Sequence, residues 1–216
     1  MALSEAVESF LTGESMQVSR RSFFKFGLSA VAATAVSSGV LLGSTAEAEA
    51  AEALLISERL AGQIGGSRTL SFYNTHTNEE LTATYWRGGS YDMAALSEIN
   101  YILRDFRTGD VHPMSPGLLN MLSLLHHRLG TPNRTLQIIS GYRSPRTNQM
   151  LRGRGEGGVA LKSYHLKGMA IDIRVKGLSS RAIATEARRL KIGGVGFYPS
   201  SDFTHIDVGP VRTWGA

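Results

Sequence analysis

The chain has 216 residues, no cysteine, and 23 Lys and Arg against 18 Asp and Glu, for a formal net charge of +5. Without thiols there is no disulfide framework, no lipidated cysteine and no thiolate nucleophile, so the fold must be held by its core. The basic balance suits an anionic partner, yet no basic run interleaved with aromatic residues points to nucleic acid.

Ser19-Arg20-Arg21-Ser22-Phe23-Phe24-Lys25 precedes an apolar, small-residue run from Gly27 to Gly43 and looks like a twin-arginine export signal. A bilayer-spanning helix needs about twenty predominantly apolar residues, and this run is short for that. Ala46-Glu47-Ala48 and Ala48-Glu49-Ala50 both offer a small-residue cleavage pattern, which leaves no stable membrane span after cleavage. An uncleaved anchor is the other reading of the same run. The expected organisation is a signal peptide over 1–48, a tether over 49–68 and one folded domain over 69–216, sent to the periplasm.

Within the domain, Thr69 to Asn74 and Glu80 to Trp86 alternate apolar and polar residues around Thr77-Asn78, which predicts a β-hairpin. Tyr91 to Arg107 places Leu96, Ile99, Leu103 and Phe106 on one helical face. Ser115-Pro116 marks a second helix start, with Ser as cap, and Leu118, Leu122, Leu125 and Leu129 form its apolar stripe up to Gly130. Thr135 to Ser140 reads as a buried strand delivering Gly141-Tyr142-Arg143, and Ser144 to Arg152 as a short helix. A glycine-rich basic loop over 152–158 is either a surface connection or a flap facing a ligand. Ser179 to Lys191 predicts a further helix that returns the chain to strands at Val195 and His205. This order implies an α+β fold, helices packed on an antiparallel sheet.

The chemistry concentrates in Ser163-Tyr164-His165-Leu166-Lys167-Gly168-Met169-Ala170-Ile171-Asp172 and, further on, Asp202-Phe203-Thr204-His205-Ile206-Asp207. Ile171 and Ile173 flank Asp172, and Ile206 and Val208 flank Asp207, so both segments read as strands whose polar residues share one side. Zinc accepts imidazole nitrogen and carboxylate oxygen, and a catalytic zinc takes three protein ligands and leaves a position for water. His165, Asp172 and His205 supply such a set.

Ser-x-His-x-x-Gly-x-Ala-x-Asp followed by a late His on a strand resembles the zinc D-Ala-D-Ala metallopeptidases. The segment from about Leu70 to Trp214 resembles their murein endopeptidase branch. Ile139-Ser140-Gly141-Tyr142-Arg143-Ser144, Gly193-Gly194-Val195-Gly196-Phe197-Tyr198-Pro199 and Asp207-Val208-Gly209-Pro210-Val211-Arg212 carry the same resemblance in family order. It implies a hedgehog/D-Ala-D-Ala peptidase-like zinc site, with Zn2+ as cofactor and peptidoglycan stem peptides as substrate. The reaction it implies is hydrolysis of amides in the peptide cross-links, D,D or L,D. A D-alanyl-D-alanine carboxypeptidase or dipeptidase, or a wall-binding domain that keeps its zinc for structure only, are the rival readings.

The family often places its catalytic Glu three residues before the last zinc-binding His. Asp202 stands there with a shorter side chain, while Asp207, two residues after His205, would share its face as base or as partner of a ligand imidazole. The resemblance makes Arg143 the residue that meets the substrate carbonyl or a terminal carboxylate, and puts Ser163 and Tyr198 on the cleft wall. Tyr142 and Tyr164 are equally expected in the core. His76, His112, His126 and His127 have no ligand-type partner at useful spacing and are expected to be structural or exposed.

Overall fold

Thr77 and Asn78 turn the chain between β1 (Arg68–Asn74) and β2 (Glu80–Arg87), and Asn78 takes the positive φ of 59° that asparagine tolerates. The computed structural model describes residues 45–154 and 159–215; the expected export signal, up to residue 44, and loop positions 155–158 lie outside them. The hairpin is antiparallel with Phe72 opposite Leu81. Leu70, Phe72, Ala83 and Tyr85 go to its buried face, while the hydroxyl pairs Thr69 with Thr84 (2.8 Å) and Ser71 with Thr82 (2.9 Å) meet on the other. A short β3 (Ser90–Tyr91) extends β2.

Asp92 opens α2 (Met93–Ile102) by accepting the backbone N–H groups of Ala94 and Ala95. This helix ends well before Arg107. Asp105 instead accepts from the backbone N–H of Arg107 (3.0 Å) and its carbonyl takes the N–H of Gly109, which has φ +79°, so the chain turns over 105–110. Phe106 therefore leaves the expected helical face and stacks on His76, ring centroids 3.7 Å apart.

α3 (Pro116–Arg128) buries Leu118, Leu122 and Leu125. The Ser115 side chain makes no capping bond; its backbone N–H is held by the Gly168 carbonyl (2.8 Å) and its own carbonyl takes Leu118 and Leu119. After β4 (Leu136–Ser140), Ser144 does cap α4 (Pro145–Gly153), through Thr147 N–H at 3.2 Å. β5 (Ala170–Val175), α5 (Ser180–Leu190), β6 (Gly194–Tyr198), β7 (Phe203–Asp207) and β8 (Arg212–Trp214) complete the order. α5 buries Ile183, Ala184 and Ala187.

The sheet order is β3-β2-β1-β4-β5-β7-β6-β8. Most neighbours run antiparallel, as an α+β reading requires, but β1–β4 and β6–β8 are parallel because each pair is joined by a crossover rather than a hairpin. α3 and α5 touch each other, and the Thr204 hydroxyl of β7 donates to the Ser180 carbonyl of α5 at 2.8 Å. Thr204 thus faces the helices, and strand alternation turns its neighbour His205 to the opposite face.

The expected tether over 49–68, whose Ala- and Glu-rich composition allows partial helix, overlaps α1 (Thr45–Ala61), a helix docked along α3 with Ala53, Ser57 and Ala61 buried. Its contact with α3 is close because Gly117 has no side chain, and a Cβ there would lie 3.2 Å from Leu54 Cα. No helix among the described residues is long and apolar enough to cross a membrane.

Candidate metal centre

Register brings the first two donors together: Asp172 of β5 lies opposite His205 of β7, one strand away on the open face of the sheet. His165 comes from a single 3-10 turn, Tyr164–Lys167, which Ser163 starts by accepting the His165 backbone N–H at 3.4 Å. The turn ends at Gly168 with φ +65°, where any side chain would run into the Pro113 carbonyl.

The ligand-type atoms of His165, Asp172 and His205 all lie within 4.8 Å of one another, and all three residues are buried. His165 Nδ1 donates to the Gly141 carbonyl (2.7 Å), so its Nε2 presents a lone pair to the cluster. Gly141 is itself held so tightly against the Leu103 carbonyl that no Cβ fits there. His205 is turned the other way, its Nε2 donating to Asp207 Oδ2 (2.9 Å) and its Nδ1 facing Asp172 Oδ1 (2.8 Å) and His165 Nε2 (3.2 Å). Two imidazole nitrogens and a carboxylate aimed at one point, each imidazole anchored through its other nitrogen, are a donor set suited to zinc.

Burial opposes the charge on Asp172, but His165 and His205 beside it outweigh that and hold its carboxyl well below the usual range. Burial, against the pull of Asp172, lowers the proton affinity of His165 and favours the neutral ring that a metal needs. For His205, burial is overcome by its bonds to Asp172 and Asp207, and its pKa is pushed up to about 9.

The two carboxylates considered as general base are both occupied elsewhere. Asp207 is fully buried and accepts five hydrogen bonds: Gly194 N–H (3.2 Å), Gly209 N–H (2.9 Å), His205, and both arms of the Arg212 fork (3.0 and 2.7 Å). Asp202, at a φ of +48°, points its 71%-exposed side chain to the Ser180 hydroxyl and toward Arg174 (3.9 Å), off the wall of the cavity that holds the histidines. It lies in the turn between β6 and β7 and bonds Ser180, the first residue of α5.

The other expected residues do reach the site. A cavity of about 710 Å³ opens over the cluster, lined by Arg143, Ser163 and Tyr198 together with His165, Asp172 and His205. Arg143 is only 9% exposed, lies 3.7 Å from Asp172 Oδ2, and leaves its Nε without a partner. The Tyr198 hydroxyl accepts from Trp214 Nε1 at 2.9 Å. Tyr164 lines the cavity and Tyr142 stacks on His112 at 4.7 Å. His126 is buried against the Thr131 hydroxyl (3.0 Å) and His127 is exposed. His76, by contrast, is on the cavity wall, as are Arg107, Arg212 and Trp214. Nothing in the local pattern around His76 or Arg107 marks them, since a hairpin turn and an unforeseen turn after α2 bring them in.

No solved structure matches the chain significantly. A family model described as peptidoglycan L,D-endopeptidase MepK, Peptidase_M15_2, matches residues 63–214. The probable peptidoglycan L,D-endopeptidase MepK of Haemophilus influenzae is 43% identical over 147 residues, 68% of this chain and 78% of that protein. Peptidoglycan L,D-endopeptidase MepK of Escherichia coli K12 is also 43% identical over 147 residues, 68% of this chain and 80% of that protein. A match that takes in β1 to β8 and the whole cluster, with relatives this similar over most of their length, makes this chain a member of the Peptidase_M15_2 family.

Proposed function

We propose that this protein is a zinc-dependent peptidoglycan endopeptidase that cleaves L,D amides in the cross-links between stem peptides. The observation that carries this is the convergence of His165, Asp172 and His205 on the floor of an open cavity, in a chain similar throughout that region to peptidoglycan L,D-endopeptidases. Those three residues would hold the zinc. When bound, the ion supplies Lewis acidity and a lowered pKa for water.

The chain's own groups account for the rest of the chemistry assigned here. Gly141 and Asp207 hold the rings of the two histidines in place, and the Nδ1 proton that Asp172 and Asp207 favour on His205 would be displaced by zinc binding. Arg143, buried beside Asp172 with an unpartnered Nε, is placed to meet negative charge as it develops on the substrate carbonyl oxygen. Ser163 both starts the His165 turn and lines the cavity; Tyr198, locked by Trp214, offers its hydroxyl to substrate from the opposite wall. Asp207 is assigned as the holder of His205 and Asp202 as a turn residue that bonds Ser180 at the α5 start, and neither is given the proton-transfer role.

Action on the cell wall places the working enzyme outside the cytoplasm, and Arg20-Arg21 with the following apolar run supports export to the periplasm by the twin-arginine route. Replacing both arginines with Lys is expected to leave precursor in the cytoplasm; normal export of that variant would end the twin-arginine assignment. The activity itself is tested by digesting purified peptidoglycan and separating the products. Cross-linked peptides should fall to monomers without release of free D-alanine. Free D-alanine with intact cross-links would point to a carboxypeptidase instead.

A further inference from the structure

The cavity is charged in one sense. Among the described residues that line it, Asp172 alone carries a carboxylate, whereas Arg107, Arg143, Lys162 and Arg212 are cationic. Asp172 is already engaged by His165 and His205, and Arg212 by the buried Asp207. Arg107 and Lys162 form no ion pair with any carboxylate among the described residues. Arg143 reaches its nearest one only at 3.7 Å, with its remaining bonds, to Asn148 and Ser140, both at 3.5 Å. An exposed guanidinium on a cavity wall with no carboxylate partner is solvated by water and free to take an anionic ligand in a planar, two-pronged bond.

Arg107 is exposed, and aromatic packing orients its side chain. Its guanidinium carbon lies 4.1 Å from the centroid of the Phe106 ring, which stacks on His76, and His76 Nε2 is in turn 3.0 Å from the Ile139 carbonyl. One carboxylate ties the two arginine segments together: Asp105 accepts the backbone N–H of Arg107 (3.0 Å) and, through its other oxygen, that of Ser144 (2.9 Å), the residue after Arg143.

We propose that Arg107, on the wall of the same cavity as Arg143, forms a second recognition station, which takes a free carboxylate of the cross-linked peptides outside the amide being cleaved. The inference rests on the peptidoglycan endopeptidase reading and adds a requirement to it: the substrate must carry an unamidated carboxyl group near the scissile bond. The carboxylate would accept from the planar Arg107 fork while Arg143 remains beside Asp172 and the reacting carbonyl, so the two arginines divide binding and charge stabilisation between them.

The test compares two synthetic cross-linked stem peptides that differ only in whether the carboxyl groups flanking the cleaved amide are free or carboxamides. The full exported protein, loaded with zinc, is assayed on both, as wild type, Arg107→Gln and Arg107→Lys, with zinc content and circular dichroism measured on each sample. Wild type should favour the free carboxylate by about tenfold or more in kcat/KM, since a site built for a charged group rejects the analogue that lacks the charge. In Arg107→Gln that ratio should fall toward one, through KM more than kcat, and Lys should restore it in part. Equal kcat/KM for the two peptides in wild type, a comparison that needs no variant, overturns the subsite while leaving the endopeptidase reading intact. An unchanged ratio in Arg107→Gln overturns the assignment to Arg107. Cleavage of neither peptide overturns the endopeptidase reading, and the subsite with it.

Discussion

Arg143 is nine-tenths buried, leaves its Nε unpartnered and approaches Asp172 only at 3.7 Å, so little of its bonding capacity is spent on holding the fold. Arg143→Ala should therefore keep its zinc and lose on the order of a hundredfold or more in kcat, as removal of an oxyanion stabiliser does. Lys should recover only part of that loss, because an ammonium restores charge without the planar fork. Zinc content together with kcat and KM checks both statements, and wild-type turnover in the Ala variant would remove Arg143 from the chemistry. Asp207 leads to the opposite split. It bonds His205 and is itself saturated, so Asp207→Ala should weaken zinc affinity by about tenfold to a hundredfold, read in a competition titration with a chelating dye. Unchanged affinity would reduce Asp207 to a partner of Arg212 alone. The spacing of His165, Asp172 and His205 was legible in the sequence because ligand chemistry is local in residue type. The division of labour between Asp202 and Asp207 was not, because it depends on a left-handed residue at 202 and on a strand, β8, that arrives from elsewhere to neutralise Asp207.

At the scale of elements, the hairpin and α5 were legible because each buries one face with a clear repeat, whereas α3 and the strands around Asp172 and His205 are buried almost throughout and were legible from their apolar content. Periodicity failed after α2, where the Asp105 side chain takes the Arg107 backbone N–H that a continuing helix would have used, and Phe106 turns away to His76. For α1 composition allowed a helix but showed neither its extent nor its docking. That helix is rich in Ala and Glu and exposes Leu55, so its own sequence shows no strong apolar face; what docks it is a close approach to α3 at Gly117 and a hydrogen bond from Tyr91 to Glu58 (2.9 Å). Gly117→Leu should push α1 off α3 and raise amide hydrogen exchange across residues 48–61, while leaving exchange in β5 and β7 unchanged. Unaltered protection over 48–61 would mean that the closeness at Gly117 does not hold the helix.

For the whole molecule, stability should depend on pH through a group far from the site. His126 is buried in α3 against Thr131, and burial lowers its pKa below the ordinary value. The unfolded chain then binds the proton more readily than the folded one, so the stability associated with this residue is present above about pH 6.5 and is lost as pH falls below it. Tm should decline on acidification, and His126→Gln should flatten that decline; parallel slopes for the two proteins would contradict it. The larger claim is that sheet register and one short turn assemble a zinc site whose purpose is to cut peptidoglycan cross-links. Its most direct test is a single preparation of the exported protein, assayed for zinc and for cleavage of a defined cross-linked muropeptide before chelation, after chelation and after zinc is restored. About one zinc per chain is expected, with cleavage lost with the metal and regained with it, and neither zinc nor cleavage in His165→Ala, Asp172→Ala or His205→Ala. Undiminished cleavage after verified removal of the metal would contradict it.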